Sequence, residues 1–511
     1  MKRNALVCIQ MVVFGLCTLS VPLLADGVIK TNYYVNNQIG SDEYDGLAAE
    51  ANSQAKSGPF ATIMQAVKKA CVGARIVVAN TGKDYREGVS ISGYQKGRAD
   101  NPLVIEGSGA TISGLVEVPA ARWEFLRDDI YTFANKLSGT NYVSKAWHEK
   151  RIGNAVYGVM PNSNWLMHWR HQGWFTKPQA PEIFFLNGQP GSNVLTLAAI
   201  PAGGFFYDTQ SSPRRLHFRL PAGKKLEECI IELPLNQGVF VSDDYVVVRN
   251  LRSAYSQDDG YAGFWGQGVV FQNVDGSFNC DQGISLHGTS TTLIDGGLFE
   301  RNGGCGIADV GSCVTIYRNV IVRNNMIEGA FFDGLAHAML GCRIYDNYQL
   351  QVGARGGILN LSHCVVMGDV IATNKGVGVS IGKGRLDHTT ILNCRTGIAV
   401  AGGDVSVKNS VITDCDNLLS VMARATSDFS MAKSLINLGT AVFGGDVVTT
   451  TNWAAYAESH KRVSDNAVEA VVLKPPFYAV PTNSPNYTMA DYGLVVGATR
   501  FTTNENWRII P

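Results

Sequence analysis

One interval constrains this chain more than any other feature. From residue 238 onward glycine returns at Gly238, Gly260, Gly283, Gly306, Gly329, Gly353, Gly376 and Gly397, in steps of 22, 23, 23, 23, 24, 23 and 21 residues. A fixed period in the twenties is the mark of a solenoid, in which each repeat packs only on its neighbours. The runs between the glycines (VVVRNL, TTLIDGGLF, VTIYRNVIV, VSVKNSVIT) are short, rich in Val, Ile and Thr, and alternate apolar with polar residues. That is a strand pattern. A leucine-rich repeat has a similar period but needs regularly placed Leu, which is absent. Asn279, Asn302 and Asn325 each stand four residues before a glycine of the series. Identical turn residues on successive coils stack and share hydrogen bonds. The expected fold is all-β, a right-handed parallel β-helix with at least about seven coils over residues 238 to 417 and its glycines in one column.

Composition narrows the function. The chain has 43 basic and 43 acidic residues, and only 17% of its residues are charged. No basic patch argues for nucleic acid or an anionic membrane as partner. High Gly (55) with low Pro (17) suits tight turns between short strands. The N-terminus places Lys2 and Arg3 before an apolar run from Ala5 to Leu24 that ends at Ala25. This is the layout of a cleavable secretory leader over residues 1–25, so a secreted or periplasmic protein without a membrane anchor in its mature form is expected. Loss of Cys8 and Cys17 with the leader reduces the eleven cysteines to nine, without any CxxC. Seven lie between Cys280 and Cys415, where buried thiols inside the solenoid explain them more simply than disulfides or zinc.

Near the start stand YYVNNQIGSDEYDG (33–46), PFATIMQAVKKACVGARIVVANTGKDYREGVSISG (59–93) and NPLVIEGSGATISG (101–114). These resemble the N-terminal cap and first coils of the pectate-lyase-like superfamily of extracellular polysaccharide-active enzymes. The resemblance implies that an amphipathic helix over Phe60 to Ala70 plugs the open end of the solenoid. The Pro-Gly that usually precedes the Tyr-Arg-Glu of this motif is replaced here by the stretch Ala79 to Asp84. Between Val118 and Leu235 the period is lost, and Trp123, Trp147, Trp165, Trp169 and Trp174 fall in this block. It is similar to the β-sandwich inserted early in the β-helix of several glycoside hydrolase families. Its aromatic residues are expected either to pack it or to wall a sugar-binding cleft. The expected division is a leader at 1–25, a cap and first coils at 26–118, an inserted β-rich subdomain at 119–235, the main coils at 236–416, and irregular final coils with a C-terminal cap at 417–511. The segment 473–493 resembles the closing coil and cap of that superfamily.

Residues at one offset in successive coils form a ladder, with neighbouring strands roughly 4.8 Å apart. Two residues before the glycine stand Asp258 and Asp281; three or four residues after it stand His287, Asp309 and Asp333, with Arg355 nearby. Elsewhere these later offsets hold Val241, Val379, Ser380, Val400 and Ala401. An acid after a turn often caps local backbone amides, but the gathering of acids points to a site. Asp309, Asp333 and Asp281 are the expected catalytic residues, and His287, Asp258, Arg355 and Trp265 the expected substrate-binding ones. Because Asp309 and Asp333 are 24 residues apart against a period of 23, they are expected on neighbouring coils as a nucleophile and an acid/base. Asp281 with Asp309, or a Ca²⁺ site at Asp258 and Asp281, are the competing arrangements. No Lys occurs from Leu226 to Asn374, which disfavours elimination by a Lys base and leaves an Arg base, with Arg355 the best placed. The expected function is hydrolysis of a polysaccharide or oligosaccharide by a monomer that needs no cofactor beyond optional calcium. A polysaccharide lyase and a non-catalytic glycan-binding protein are the alternatives.

Overall fold

Alternation sends every second residue of each short strand inward, and those residues build the core. Val239, Tyr261, Ile284, Ile307, Ala330, Val352, Val379, Ile398 and Leu419 pair strand to strand in one parallel register, and each is at most 1% exposed. The structure is a computed structural model. It describes residues 31–134, 182–208, 211, 215–368, 375–422, 429–436, 440–443 and 446–449, with the short strands Arg151–Ile152, Ala155–Val156 and Ala467–Val468. They form a right-handed parallel β-helix of about eight turns with a single helix. The proposed leader, four of the tryptophans (Trp147, Trp165, Trp169, Trp174) and the segment 473–493 lie outside the described residues. Among the described residues no helix is long and apolar enough to cross a membrane.

Two sheets wrap the core. The shorter one begins at Val89–Ile91 and continues through Val239–Val241, Tyr261–Phe264, Ile284–His287, Ile307–Val310, Glu328–Asp333 and Leu350–Ala354. The longer one carries Val269–Ser277, Thr291–Glu300, Val314–Arg323 and Ala336–Leu340 on the corresponding coils. Corners of the longer sheet pass through left-handed backbone at Asn250, Asn273, Asn319, His363, His388 and Asn409, with φ between 47° and 57°. Asn tolerates this conformation better than most residues.

The glycine column has a steric cause. A Cβ at Gly260, Gly283, Gly306, Gly329 or Gly378 would come within 2.5–2.9 Å of a backbone carbonyl oxygen on the next coil. Two glycines of the sequence series do not belong to it. Gly353 pairs with Phe331, and Val352 pairs with Val379, so the column runs through Gln351 and Gly378 rather than Gly353 and Gly376. Beside this column runs the asparagine ladder. Asn279 donates Nδ2 to Asn302 Oδ1 at 3.0 Å, Asn302 to Asn325 at 2.9 Å, and Asn325 to Asn347 at 2.8 Å. Gln351 ends it, accepting at Oε1 from Asn347 Nδ2 at 2.8 Å. The residue that breaks the glycine column therefore supplies the last acceptor of the ladder.

At the N-terminal end the helix Ile63–Lys69 buries Ile63, Met64, Ala66 and Val67 against the first coils, with Thr62 as N-cap. Glu87, from the Tyr-Arg-Glu stretch, accepts from the backbone N–H groups of Ile63 at 2.8 Å and Met64 at 3.1 Å. These are two of the four donors that a helix start leaves unmatched. Tyr85 fixes the turn below by donating to the Ala79 carbonyl at 2.8 Å.

The solenoid is interrupted once. Strand Leu115–Glu117 leaves it and pairs antiparallel with Ile231–Pro234, which returns; Leu103–Glu106 then pairs with Val246–Arg249 as if the block between them were absent. The described part of that block holds a four-stranded and a five-stranded sheet, mostly antiparallel. Their core contains Trp123, Phe133, Phe184 and Phe218 and takes in Cys280 of the solenoid. Trp123, 6% exposed, packs edge-on against Phe218 at 4.8 Å. It is a packing residue and walls no cleft. All nine cysteines from Cys71 to Cys415 are free thiols, seven of them buried.

Candidate functional site

The pleat of the shorter sheet decides which acids can meet. Asp309 pairs with Leu286 on one side and Phe332 on the other, and all three point into the core. Asp333 pairs with Val310, one position on, and is exposed. A shift of one residue turns a side chain to the opposite face. The expected Asp309–Asp333 pair is therefore not formed, because the extra residue in the 24-residue spacing places one acid inside the solenoid and the other outside it. Asp309 is 0% exposed. Its oxygens accept from Tyr317 Oη at 2.9 Å and Thr315 Oγ1 at 2.7 Å. His337 Nδ1 lies 2.7 Å from the same Thr315 hydroxyl and 3.5 Å from Asp309. The expected pairing of Asp281 with Asp309 is not formed either, because Asp281 lies in the turn before Ile284–His287 while Asp309 stands beside Leu286 farther along that strand.

Asp258 and Asp281 are brought together as their shared register requires, and a third acid joins them. Asp258, Asp259 and Asp281 each place a carboxylate oxygen within 4.8 Å of the others. They lie in the turns that lead into two successive strands of the shorter sheet. Asn236–Gln237, Asp258–Asp259 and Asp281–Gln282 occupy equivalent positions on three consecutive coils, set by the pairing of Val239, Tyr261 and Ile284. The Asp281 N–H donates to the Asp258 carbonyl at 3.1 Å, and Gln237 Nε2 reaches Asp258 Oδ2 at 3.5 Å. Asp259 accepts from the Gln282 N–H at 3.1 Å. Gly304 follows in the same column, and a side chain there would strike the Asp281 carboxylate. Burial, with repulsion from Asp258 and Asp281, pushes the Asp259 carboxyl well above the ordinary aspartate range. Burial, with repulsion from Asp258, does the same to Asp281. Crowded carboxylates in a low-dielectric setting hold a proton that an isolated one releases.

A cleft of about 590 Å³ opens one coil earlier, where the inserted block leaves and rejoins the solenoid. Arg86, Glu117, Glu232 and Asn236 supply its polar lining, and Arg86 bridges to Glu232. Asn236 lies in the column of Asp258, which places the cleft on the coil before the acids; none of the three lines it.

The remaining expected residues line the outer face of the shorter sheet without closing on the acids. His287 stacks on Phe264 with ring centres 4.3 Å apart and shares a 2.8 Å hydrogen bond with Ser285 Oγ. Burial lowers its pKa, although Asp309 on the other side of the sheet opposes this. Trp265, 37% exposed, tilts against Phe264 at 5.4 Å. Arg355 lies over the Phe331 ring and pairs with Glu328 at 3.0 Å. Asp333 stands at the same outer end. His287 and Trp265 sit at the far end of their strands from Asp258 and Asp281, so the expected residues form two groups rather than one.

Sequence reasoning missed Asp259, Arg86, Glu232 and His337. Asp259 adjoins Asp258 in QDDG and occupies the column directly before the glycine, which also holds Gln237 and Gln282. Arg86 and Glu232 meet only because the insert returns its chain to the first coils. His337 continues Thr292 and Thr315 in a column of the longer sheet, a period of 23 and 22 residues visible in the sequence.

A family model described as right handed beta helix region matches residues 200–339. Among solved structures the chain is similar to the complex structure of XylC with xylose, at 13% identity and a TM-score of 0.49, covering 86% of this chain and 83% of that one. It is also similar to a glycoside hydrolase at 9% identity, TM-score 0.46, covering 81% and 94%, and to pectate lyase Pel9A at 11% identity, TM-score 0.43, covering 93% and 97%. Comparison with curated proteins finds no match.

Proposed function

We propose that this protein is a carbohydrate-active enzyme, a glycoside hydrolase whose reacting carboxylates are Asp281 and its neighbours Asp258 and Asp259. The observation that carries the reading is the meeting of three carboxylates from two adjacent coils within 4.8 Å, in the column that continues into the cleft beside the insert. Glycosidic cleavage needs one carboxyl that keeps its proton and another that is ionised. Burial and mutual repulsion supply the first in Asp259 or Asp281. The oxygen separation is nearer the roughly 5–5.5 Å of double displacement than the roughly 6.5–9.5 Å of single displacement, so retention of anomeric configuration is predicted. Trp265, Phe264 and His287 offer an aromatic shelf at the far end of these strands for sugar rings farther along a chain.

Elimination is less well served. Arg355, the best-placed base for it, is engaged by the Glu328 carboxylate at 3.0 Å. A uronate carboxylate about 5 Å from one ionised member of the trio would also meet roughly 3 kcal/mol of repulsion at an effective dielectric near 20. A neutral glycan is therefore the favoured substrate. One observation supports a second reading: the trio is an all-oxygen donor set of the kind that binds calcium, and a bound cation would make uronates acceptable. Export by a cleaved leader at residues 1–25, and action as a monomer, belong to the proposal and rest on the sequence.

The test is a screen of neutral and uronate-containing polymers with two readouts, new reducing ends and the absorbance of unsaturated products, with and without a calcium chelator. Reducing ends from a neutral polymer, lost by about 10²- to 10⁴-fold in Asp281→Asn, support the hydrolase. Unsaturated products that vanish with chelator support the calcium lyase. Binding without turnover on any polymer supports the non-catalytic alternative.

A further inference from the structure

The polar patch inside the solenoid contains more chemistry than a buried acid needs for its own hydrogen bonds. Asp309 comes from the shorter sheet, Cys313 from the turn that follows it, and His337 from the longer sheet one coil on. All three are 0% exposed, and each offers a ligand atom within 4.8 Å of the others. We propose that Asp309, Cys313 and His337 form a buried site for a zinc-like divalent cation.

Three observations converge on it. The first is a buried nitrogen that lacks a partner. The Thr315 hydroxyl has one hydrogen and donates it to Asp309 Oδ2, so it accepts from His337 at Nδ1. That leaves Nε2 as the bare lone pair, and Nε2 is buried without a hydrogen bond. The second is a gap that a glycine keeps open. A Cβ at Gly334 would lie 2.6 Å from His337 Nε2 and 2.8 Å from Cys313 Sγ, so the bare nitrogen and the thiol border the same space. The third is charge. The Asp309 carboxylate is set in a column otherwise made of residues such as Leu286, Phe332, Ile381 and Val400. An ionised carboxylate there is expensive without a counter-ion. A divalent cation with one carboxylate, one thiolate and one neutral imidazole is a neutral assembly.

The donor set selects the metal. One nitrogen, one sulfur and one oxygen suit zinc, whereas calcium and magnesium take oxygen alone. A tetrahedral zinc with bonds of about 2.0–2.3 Å holds its ligand atoms roughly 3.3–3.8 Å apart, so from the 4.8 Å limit the three side chains would draw together by up to about 1–1.5 Å. Thr315, bonded to the far ring nitrogen, would orient the imidazole as outer partners of metal ligands do. Because the three residues are closed off from solvent, the ion would be taken up as the chain folds. The site is separate from Asp258, Asp259 and Asp281 and does not rest on the hydrolase reading.

The full chain, produced in zinc-supplemented medium and dialysed against a chelator, should retain about one zinc per chain by mass spectrometry. Zinc-edge X-ray absorption of the wild-type protein should show one sulfur neighbour with nitrogen and oxygen neighbours. Cys313→Ser should lower the zinc content at least about tenfold, while Cys394→Ser, a buried thiol several coils away, should keep it. A wild-type zinc content below about a tenth per chain, a zinc shell without sulfur, or full retention in Cys313→Ser would each overturn the site. The absorption spectrum uses the wild-type protein and decides the question even if the variant does not fold.

Discussion

Asp281 and Asp309 stand on neighbouring coils, and both are almost completely buried, yet the fold gives them opposite surroundings. Asp309 lies inside the solenoid with two hydroxyls and an imidazole arranged around it. Asp281 lies in a turn, stacked on Asp258 and beside Asp259. The difference comes from where in the coil each acid falls. Strand positions alternate between core and surface, so a strand acid has a facing fixed by parity. Turn positions have no such alternation, and equal offsets there bring like residues into contact. In a β-helix a column of acids in the turns is therefore better evidence of a surface site than an acid within a strand.

The comparison is sharpened first by removing Asp309. Asp309→Ala would leave the hydroxyls of Thr315 and Tyr317 and the His337 ring facing a cavity, and a loss of about 3–5 kcal/mol is predicted, read as a lower denaturation midpoint. Asp309→Leu, which matches its column neighbour Leu286, should cost less because it fills the space.

A smaller effect separates true column glycines from accidental ones. In Gly306→Ala the new methyl meets Val322 and, at 2.9 Å, the Gly329 carbonyl, and a cost of about 1–3 kcal/mol is predicted. Gly353→Ala meets only the far ends of Glu328 and Leu350 at 2.7 Å, and less than about 1 kcal/mol is expected. Equal costs would mean that the column is not steric.

A third acid, Glu87, shows that a shifted proton alone does not mark catalysis. Burial pushes its pKa up to about 7 even though two helix amides favour the ionised form. Between its ordinary value and about 7 the folded state binds more protons than the unfolded state. Stability from this group is therefore present at acid pH and lost as pH rises through about 7. A rise from 4.5 to about 7 corresponds to about 3 kcal/mol, a few degrees in Tm, and Glu87→Gln should flatten it.

The solenoid was legible in the sequence because its cause is periodic. Steric crowding at Gly260, Gly283, Gly306 and Gly329 repeats every coil, and so does the sharing of hydrogen bonds among Asn279, Asn302 and Asn325. The column was misread at Gly353 and Gly376 because the coil that lacks the glycine has others close by. The gathering of acids was legible only where it follows stacking, at Asp258 and Asp281. The Asp309–Asp333 pairing failed because a difference of one residue, small against a period of 23, reverses the facing of a side chain. His337 and Glu232 reach their partners across the core or from the insert, and no local spacing reports such contacts.

We propose that chemistry belongs to the turn acids and structure to the strand acid. Once a substrate is in hand, turnover and unfolding should be measured together on Asp281→Asn and Asp309→Asn. The predicted result is a crossed pattern: Asp281→Asn loses about 10²-fold or more in turnover with little change in stability, and Asp309→Asn loses stability but keeps the turnover of its folded fraction. Near-normal turnover in Asp281→Asn, with turnover abolished in a well-folded Asp309→Asn, would contradict the account.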